Sequence, residues 1–272
     1  MFLTAQEYLS HCYTSPKFFP TLPLPNEDFI KLWQENFGAD SLSFLNKNFG
    51  LDVENFTWQN VSAVKISFVQ TFGGKLPVID TASHSDFLSM EALLNGKNSC
   101  GNYPLTVNAF TISAKNKKIF KHRLILLNRA PYSNIPAEKL NLREEEWLEI
   151  SHKLRLRHES AHYETLRILG GMKNHALDEI LADALGQIAA FGNFSPARQR
   201  LFFGLHGNKC DGRLNFYCQK IIPAEREIVY ASVDKVLDAV EKINALENFT
   251  EQFSFITGNS ILDILKREAA AL

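Results

Sequence analysis

The sequence has few cysteines, no excess of either charge and no long apolar run, and each absence excludes a class of protein. Four cysteines in 272 residues are too few for a disulfide scaffold. They also lack the close pairing of structural zinc sites, so free thiols are expected at Cys12, Cys100, Cys210 and Cys218. Lys and Arg number 29 against 30 Asp and Glu, a formal net charge of -1, which gives no electrostatic reason to expect a nucleic acid partner.

Membrane insertion and secretion are not indicated either. No stretch approaches the roughly 20 consecutive apolar residues that a spanning helix needs. The opening MFLTAQEYLSHC lacks the basic segment and apolar core of a secretory signal. We therefore expect a soluble, cytoplasmic protein with no membrane partner. What is present is a globular composition, 45% hydrophobic and 11% aromatic, which is sufficient for a buried core.

The first half of the chain carries the strand patterns. Val64, Ile66 and Phe68 alternate with polar neighbours, as in a half-buried strand. A short helix, capped by Ser85 or Asp86, is expected to end near residue 94. The predicted β-stretches are 64–68, 76–79, 105–113 and 119–127, and the last two form a hairpin.

The second half has helical periodicity almost throughout. Asn141 and Glu144 have the spacing of a capping box. Breaks are predicted at residues 170–171, 192–196, 205–223 and near 259. Strands followed by helices indicate an α+β fold. We expect a mixed α/β lobe with an edge strand at 1–140 and a helical lobe with the metal site at 141–272, or one compact domain containing both.

The residues that point to chemistry begin at His158. His158 and His162 are four residues apart, so a helix places both imidazoles on one face. That face also carries apolar residues and should turn inward, where an unsatisfied imidazole would cost free energy unless a metal or a hydrogen bond compensates. Glu159 points about a quarter turn away, which suits a general base better than a ligand.

A second acidic group follows a short turn. Gly170-Gly171 should end the helix, and a helix from about His175 should return antiparallel. Its Glu179 can then reach an ion bound by the two histidines, giving three protein ligands and one open position, as in catalytic zinc sites. Asp183, one turn further on, can accept the second ring N–H of His158 and fix its orientation.

The pattern His158-Glu159-Ser160-Ala161-His162 followed by 179–183 (EILAD) resembles the HExxH plus ExxAD signature of gluzincin zinc metallopeptidases, the thermolysin-like and CAAX-protease-like groups. The wider pattern is also similar to uncharacterised bacterial proteins. The resemblance implies a zincin-like fold, one zinc ion on His158, His162 and Glu179, base chemistry on Glu159 and an orienting role for Asp183. It covers about 27 residues.

The sequence differs from these relatives in three ways. Only 16 residues separate His162 from Glu179, Asp178 stands where some relatives have Asn, and the membrane helices of CAAX-type enzymes are missing. Two other interpretations remain open for the cluster. One is a buried polar network without an ion. The other is a di-iron site, which geometry disfavours because both Glu-x-x-His units lie on one helix.

The function expected from this reasoning is a zinc-dependent hydrolase, most simply a metallopeptidase in which Glu159 takes a proton from a zinc-bound water. The edge strand at 105–113 would align an extended peptide or protein substrate by main-chain hydrogen bonds. The alternative is a non-catalytic zincin-like scaffold that acts by binding a partner or ligand.

Overall fold

The computed structural model describes residues 2–14, 19–35 and 40–270, which adopt the expected α+β fold. A small mixed sheet lies in the N-terminal half and helices make up most of the C-terminal half. The strands are β1 (Lys65–Thr71), β2 (Gly74–Thr81), β3 (Ala109–Ser113), β4 (Arg123–Asn128), β5 (Leu205–His206) and β6 (Lys209–Cys210). The helices are α1 (Ala5–Leu9), α2 (Phe29–Gln34), α3 (Ser41–Phe49), α4 (His84–Leu94), α5 (Glu144–Leu169), α6 (Ala176–Phe191), α7 (Pro196–Phe203), α8 (Leu214–Tyr217), α9 (Arg226–Val240), α10 (Phe249–Thr257) and α11 (Ile261–Ala270).

The main sheet has the strand order β1-β2-β4-β3. β1 and β2 form an antiparallel hairpin, β2 and β4 are parallel, and β3 pairs antiparallel with β4. The predicted hairpin of the third and fourth strands is therefore confirmed. Both strands are shorter than expected, because residues 105–108 precede the ladder and a 3₁₀ turn at Lys117–Ile119 replaces the start of the fourth. β3 lies at the edge of the sheet.

Strand alternation divides the sheet into two apolar faces. On β4, Leu124 and Leu126 pack with α4 on one face, whereas Ile125 and Leu127 pack on the other face against Tyr163 of α5. This is the period-two pattern of a sheet buried on both sides. The order of layers is thus α4, sheet and α5, with α6 packed extensively against α5.

The turn between α5 and α6 has the predicted form. Gly170 follows the last residue of α5 with φ 74°, a left-handed conformation that glycine adopts without a Cβ clash. α6 begins after His175, whose side chain accepts a hydrogen bond from the backbone N–H of Leu177 and so caps the helix. The two helices therefore present the two halves of the motif to each other.

Two predicted helix caps are wrong. Asn141 does not cap α5: it lies at the end of the preceding 3₁₀ turn with φ 56°, and Arg143 occupies the cap position without a side-chain hydrogen bond. Asn tolerates the left-handed region, which is why the residue suits a turn as well as a cap. α4 is capped by Ser83, two residues before the predicted position, through its hydroxyl and the N–H of Asp86.

All four cysteines lie in the described residues, and all are free thiols, as predicted. Over the same residues, no helix has both the length and the apolar character required to cross a lipid bilayer.

Candidate metal centre

Two imidazoles and one carboxylate converge between α5 and α6. The Nε2 atoms of His158 and His162 are 3.0 Å apart, and the carboxylate oxygens of Glu179 lie 3.6 Å and 3.4 Å from them respectively. Ligands on a tetrahedral zinc ion, with bonds of about 2.0–2.2 Å, are separated by about 3.3–3.6 Å. The distances from Oε2 of Glu179 to His158 and from Oε1 to His162 fall within this range, and the Nε2–Nε2 distance is shorter. Within the described residues no other group of three or more potential ligands has this convergence.

These facing lone pairs need a proton or a cation between them. Nδ1 of His158 faces a carboxylate oxygen of Asp183 at 2.7 Å, so this nitrogen carries the proton and the lone pair of Nε2 points inward. Oε2 of Glu179 is buried without a hydrogen-bond partner. Lone pairs of like character would repel unless a proton or a metal cation lies among them.

Asp183 belongs to a network that the sequence did not reveal. Its Oδ1 accepts a hydrogen bond from the hydroxyl of Tyr132, and its Oδ2 pairs with Arg213 and accepts a 2.5 Å bond from Gln199. Arg213 also donates to the Tyr132 hydroxyl at 2.9 Å. Burial alone would raise the pKa of Asp183, but Arg213 and His158 outweigh it and hold that pKa well below its usual range. The carboxylate stays ionised and orients His158.

A second carboxylate stands behind the other imidazole. Oδ2 of Asp178 lies 3.3 Å from Nδ1 of His162. Nδ1 therefore has a charged neighbour but no hydrogen-bond partner. Asp178 itself is fully buried and is held by the hydroxyl of Tyr13 and by the backbone N–H of Lys173 at 3.0 Å.

Glu159 contacts the sheet. The hydroxyl of Thr111, on edge strand β3, lies 2.7 Å from Oε2 of Glu159 and 2.8 Å from its backbone carbonyl oxygen. Only 7% of Glu159 is exposed. A side chain of this kind is fixed in one orientation, which is what a general base needs.

The buried ionisable groups of the region carry more negative than positive charge. Burial alone would lower the pKa of His162, but attraction to Asp178 and hydrogen bonding to Glu179 hold that pKa well above its usual range. Burial alone would raise the pKa of Glu179, but hydrogen bonding and attraction to His162 outweigh it and lower that pKa. The nearby Arg157–Glu164 pair cancels itself. Four carboxylates face two arginines: Glu159, Asp178, Glu179 and Asp183 against Arg155 and Arg213. A protonated His162 offsets one of the two excess negative charges, and a divalent cation beside a neutral His162 would offset both.

Arg213 reaches the network because two backbone segments cross at very short range. A Cβ on Gly204 would lie 2.5 Å from the Cα of Gly212, and Gly204 has φ 64°. Both conditions require glycine. Arg213 immediately precedes α8 and pairs with Asp183 of α6.

Tyr217 is a partly buried tyrosine that interacts with the carboxylate of Glu179. Its pKa is raised well above the usual range by burial and then by the charge and hydrogen bonding of Glu179, so the phenol keeps its proton. No sequence signal distinguished it from the other tyrosines. Arg213, Tyr132 and Thr111 were missed, since each lies in a different element and only long-range contacts bring them to the motif.

These side chains define a candidate mononuclear metal centre on two antiparallel helices. Residues 106–266 match a family described as a family of unknown function, DUF7005, and the chain belongs to this family because the match covers more than half of its 272 residues. The matched range includes both helices of the centre and β3, and it does not include Tyr13. No curated protein and no solved structure matches the chain.

Proposed function

We propose that this protein is a zinc-dependent hydrolase, most simply a metallopeptidase, that holds one zinc ion on His158, His162 and Glu179. The observation that carries the proposal is the convergence of two imidazole nitrogens and one carboxylate at close to tetrahedral spacing. The unpaired Oε2 of Glu179 and the excess of buried carboxylates support the same conclusion. The resemblance to gluzincins points to the same ligands.

The residues around the site fit hydrolysis. A zinc ion on these ligands would lower the pKa of a coordinated water and polarise a carbonyl group. Glu159 accepts a proton and passes it to the leaving amine, and Thr111 holds the carboxylate in place for both transfers. Asp183 keeps the Nε2 lone pair of His158 directed inward.

The sheet offers a surface for an extended substrate. β3 pairs with β4 on one side only, so in the described part of the chain no strand occupies its other edge. Main-chain groups on a free edge can bind a peptide as an added strand. Thr111 belongs to this strand and contacts Glu159, so a peptide on β3 would lie beside the general base.

A non-catalytic scaffold is the second candidate, and burial favours it. The ligands and Glu159 are each at most 7% exposed, as in sites where metal stabilises a fold. A protein of this kind would bind zinc and a partner without hydrolysing a substrate.

Zinc content and one conservative substitution separate the two. The purified full chain should hold one zinc per molecule, and His158→Ala or Glu179→Ala should lose it, whereas replacing the exposed His206 by Ala should not. Circular dichroism checks that each variant is folded. Glu159→Gln should keep the zinc and lose the cleavage of a broad peptide library, because only the proton acceptor is removed.

Each result has a defined meaning. A folded wild-type chain that holds no zinc after reconstitution refutes the metal site. A chain that holds zinc yet cleaves no peptide or ester supports the scaffold instead.

A further inference from the structure

We propose that Asp178, held in place by Tyr13, is a positioning residue that fixes His162 for the metal. The N-terminal segment would thereby become part of the metal centre. The inference rests on the proposed zinc site, and it assigns roles to two residues outside the ligand set.

The contacts form a chain from the N-terminal segment to the ligand. The hydroxyl of Tyr13, a residue only 6% exposed, donates to Oδ1 of Asp178. The other oxygen, Oδ2, accepts from the N–H of Lys173 and lies 3.3 Å from Nδ1 of His162. With both oxygens engaged, the carboxylate cannot rotate freely, and its charge faces the outer nitrogen of the ligand.

The arrangement resembles the one on the other imidazole, although only His158 has a hydrogen bond on its outer nitrogen. Asp183 faces Nδ1 of His158 as Asp178 faces Nδ1 of His162, so each histidine ligand has an anionic partner on its outer nitrogen. A carboxylate at this position favours a proton on Nδ1, leaves the lone pair on Nε2 for the metal and makes the ring a stronger donor. An amide would provide the shape without the charge. Asp178 therefore adds a negative charge beside His162 that an Asn at the same position would not.

Tyr13 ties this effect to a distant part of the sequence. It lies outside the range that matches the family, whereas Asp178 lies inside it. The segment around Tyr13 is itself fixed to the start of α6: the hydroxyl of Tyr8 accepts from the N–H of Ala176 at 2.9 Å, and the Tyr8 carbonyl contacts Nε2 of His175 at 3.0 Å. The N-terminal segment thus contacts the helix that supplies Glu179.

The test is zinc affinity, measured on the full chain by competition with a chromophoric chelator. Removing a group that orients a ligand weakens metal binding by about 10- to 100-fold. We expect an increase of this size in Kd for Asp178→Asn and a smaller one for Tyr13→Phe. Tyr103→Phe is the matched control, because it also removes a tyrosine hydroxyl from a buried carboxylate, Glu91 at 3.2 Å, but outside the site.

Two further readouts separate positioning from a general loss of structure. The double variant should bind zinc no more weakly than Asp178→Asn alone, because Tyr13 acts only through that carboxylate. The rise in Tm caused by zinc should shrink in Asp178→Asn and Tyr13→Phe and remain unchanged in Tyr103→Phe. Should Asp178→Asn fail to fold, Tyr13→Phe alone carries the comparison.

The outcomes distinguish this inference from the function on which it rests. A wild-type chain that binds no zinc overturns both. A wild-type chain that binds zinc, with Asp178→Asn and Tyr13→Phe within twofold of its Kd, overturns the positioning role alone. Effects of the two substitutions that multiply in the double variant contradict a relay through Asp178.

Discussion

Replacing Arg213 by Met should be among the most destabilising single changes near the site. The substitution keeps an unbranched apolar stem and removes the cation that pairs with the fully buried Asp183. Breaking a buried ion pair typically costs about 3–5 kcal/mol, because the remaining charge is left in a low-dielectric environment. Asp183 retains hydrogen bonds from Tyr132, Gln199 and His158, so we expect the lower end, about 3 kcal/mol. This is a large part of the about 5–15 kcal/mol that stabilises a typical domain.

Arg200 provides a matched control. Its side chain is 27% exposed against 23% for Arg213, and it also contacts carboxylates, Asp234 at 2.8 Å and Asp238 at 2.9 Å. These acids are partly exposed, so Arg200→Met should cost less than about 1 kcal/mol. Urea unfolding in the presence of a chelator measures both free energies without a metal contribution. Equal losses in the two variants would show that burial of the acid is not what makes Arg213 important.

Two further predictions concern the general base and the dependence of stability on pH. Thr111→Val removes the hydroxyl that holds Glu159, so in an active enzyme kcat should fall by about 10-fold at unchanged zinc content. Steady-state peptide hydrolysis measures kcat and elemental analysis measures zinc; an unchanged kcat would contradict the role of Thr111. Burial lowers the pKa of His175 to about 4, so between about pH 4 and 6.5 the unfolded chain binds more protons than the folded one. The stability contributed by the neutral ring is therefore lost as the pH falls through that window. Relative to His175→Asn, which preserves an N-cap side chain, the wild-type chain should lose about 2 kcal/mol more between pH 7.5 and pH 5 in urea unfolding with a chelator, and parallel pH profiles would contradict this.

The helical part of the fold was predictable because its signals are local. Gly170 marks the end of α5 and His175 the start of α6, and the apolar stripes of these two helices repeat with helical spacing. The strand ends were less predictable, since β3 begins only where β4 pairs with it, four residues after the apolar run starts. The predicted cap of α5 was wrong for a related reason: Asn141 suits both a helix cap and a left-handed turn, and the sequence does not distinguish them.

For the site too, local patterns were predictable and long-range contacts were not. His158, His162 and Glu179 could be placed together from spacing on two neighbouring helices and a short turn. Arg213 and Thr111 could not, because contacts across loops and strands determine their positions and no periodic pattern records them.

The close backbone crossing at Gly204 and Gly212 predicts a pattern that can be looked for in other sequences. Neither position has space for a side chain, and the residue that follows the second glycine is the arginine that neutralises Asp183. Other members of the family that place an arginine there should therefore carry the pair of glycines eight positions apart. A member with a bulkier residue at either glycine position should lack the arginine as well, so the glycine pair and the arginine should be present or absent together.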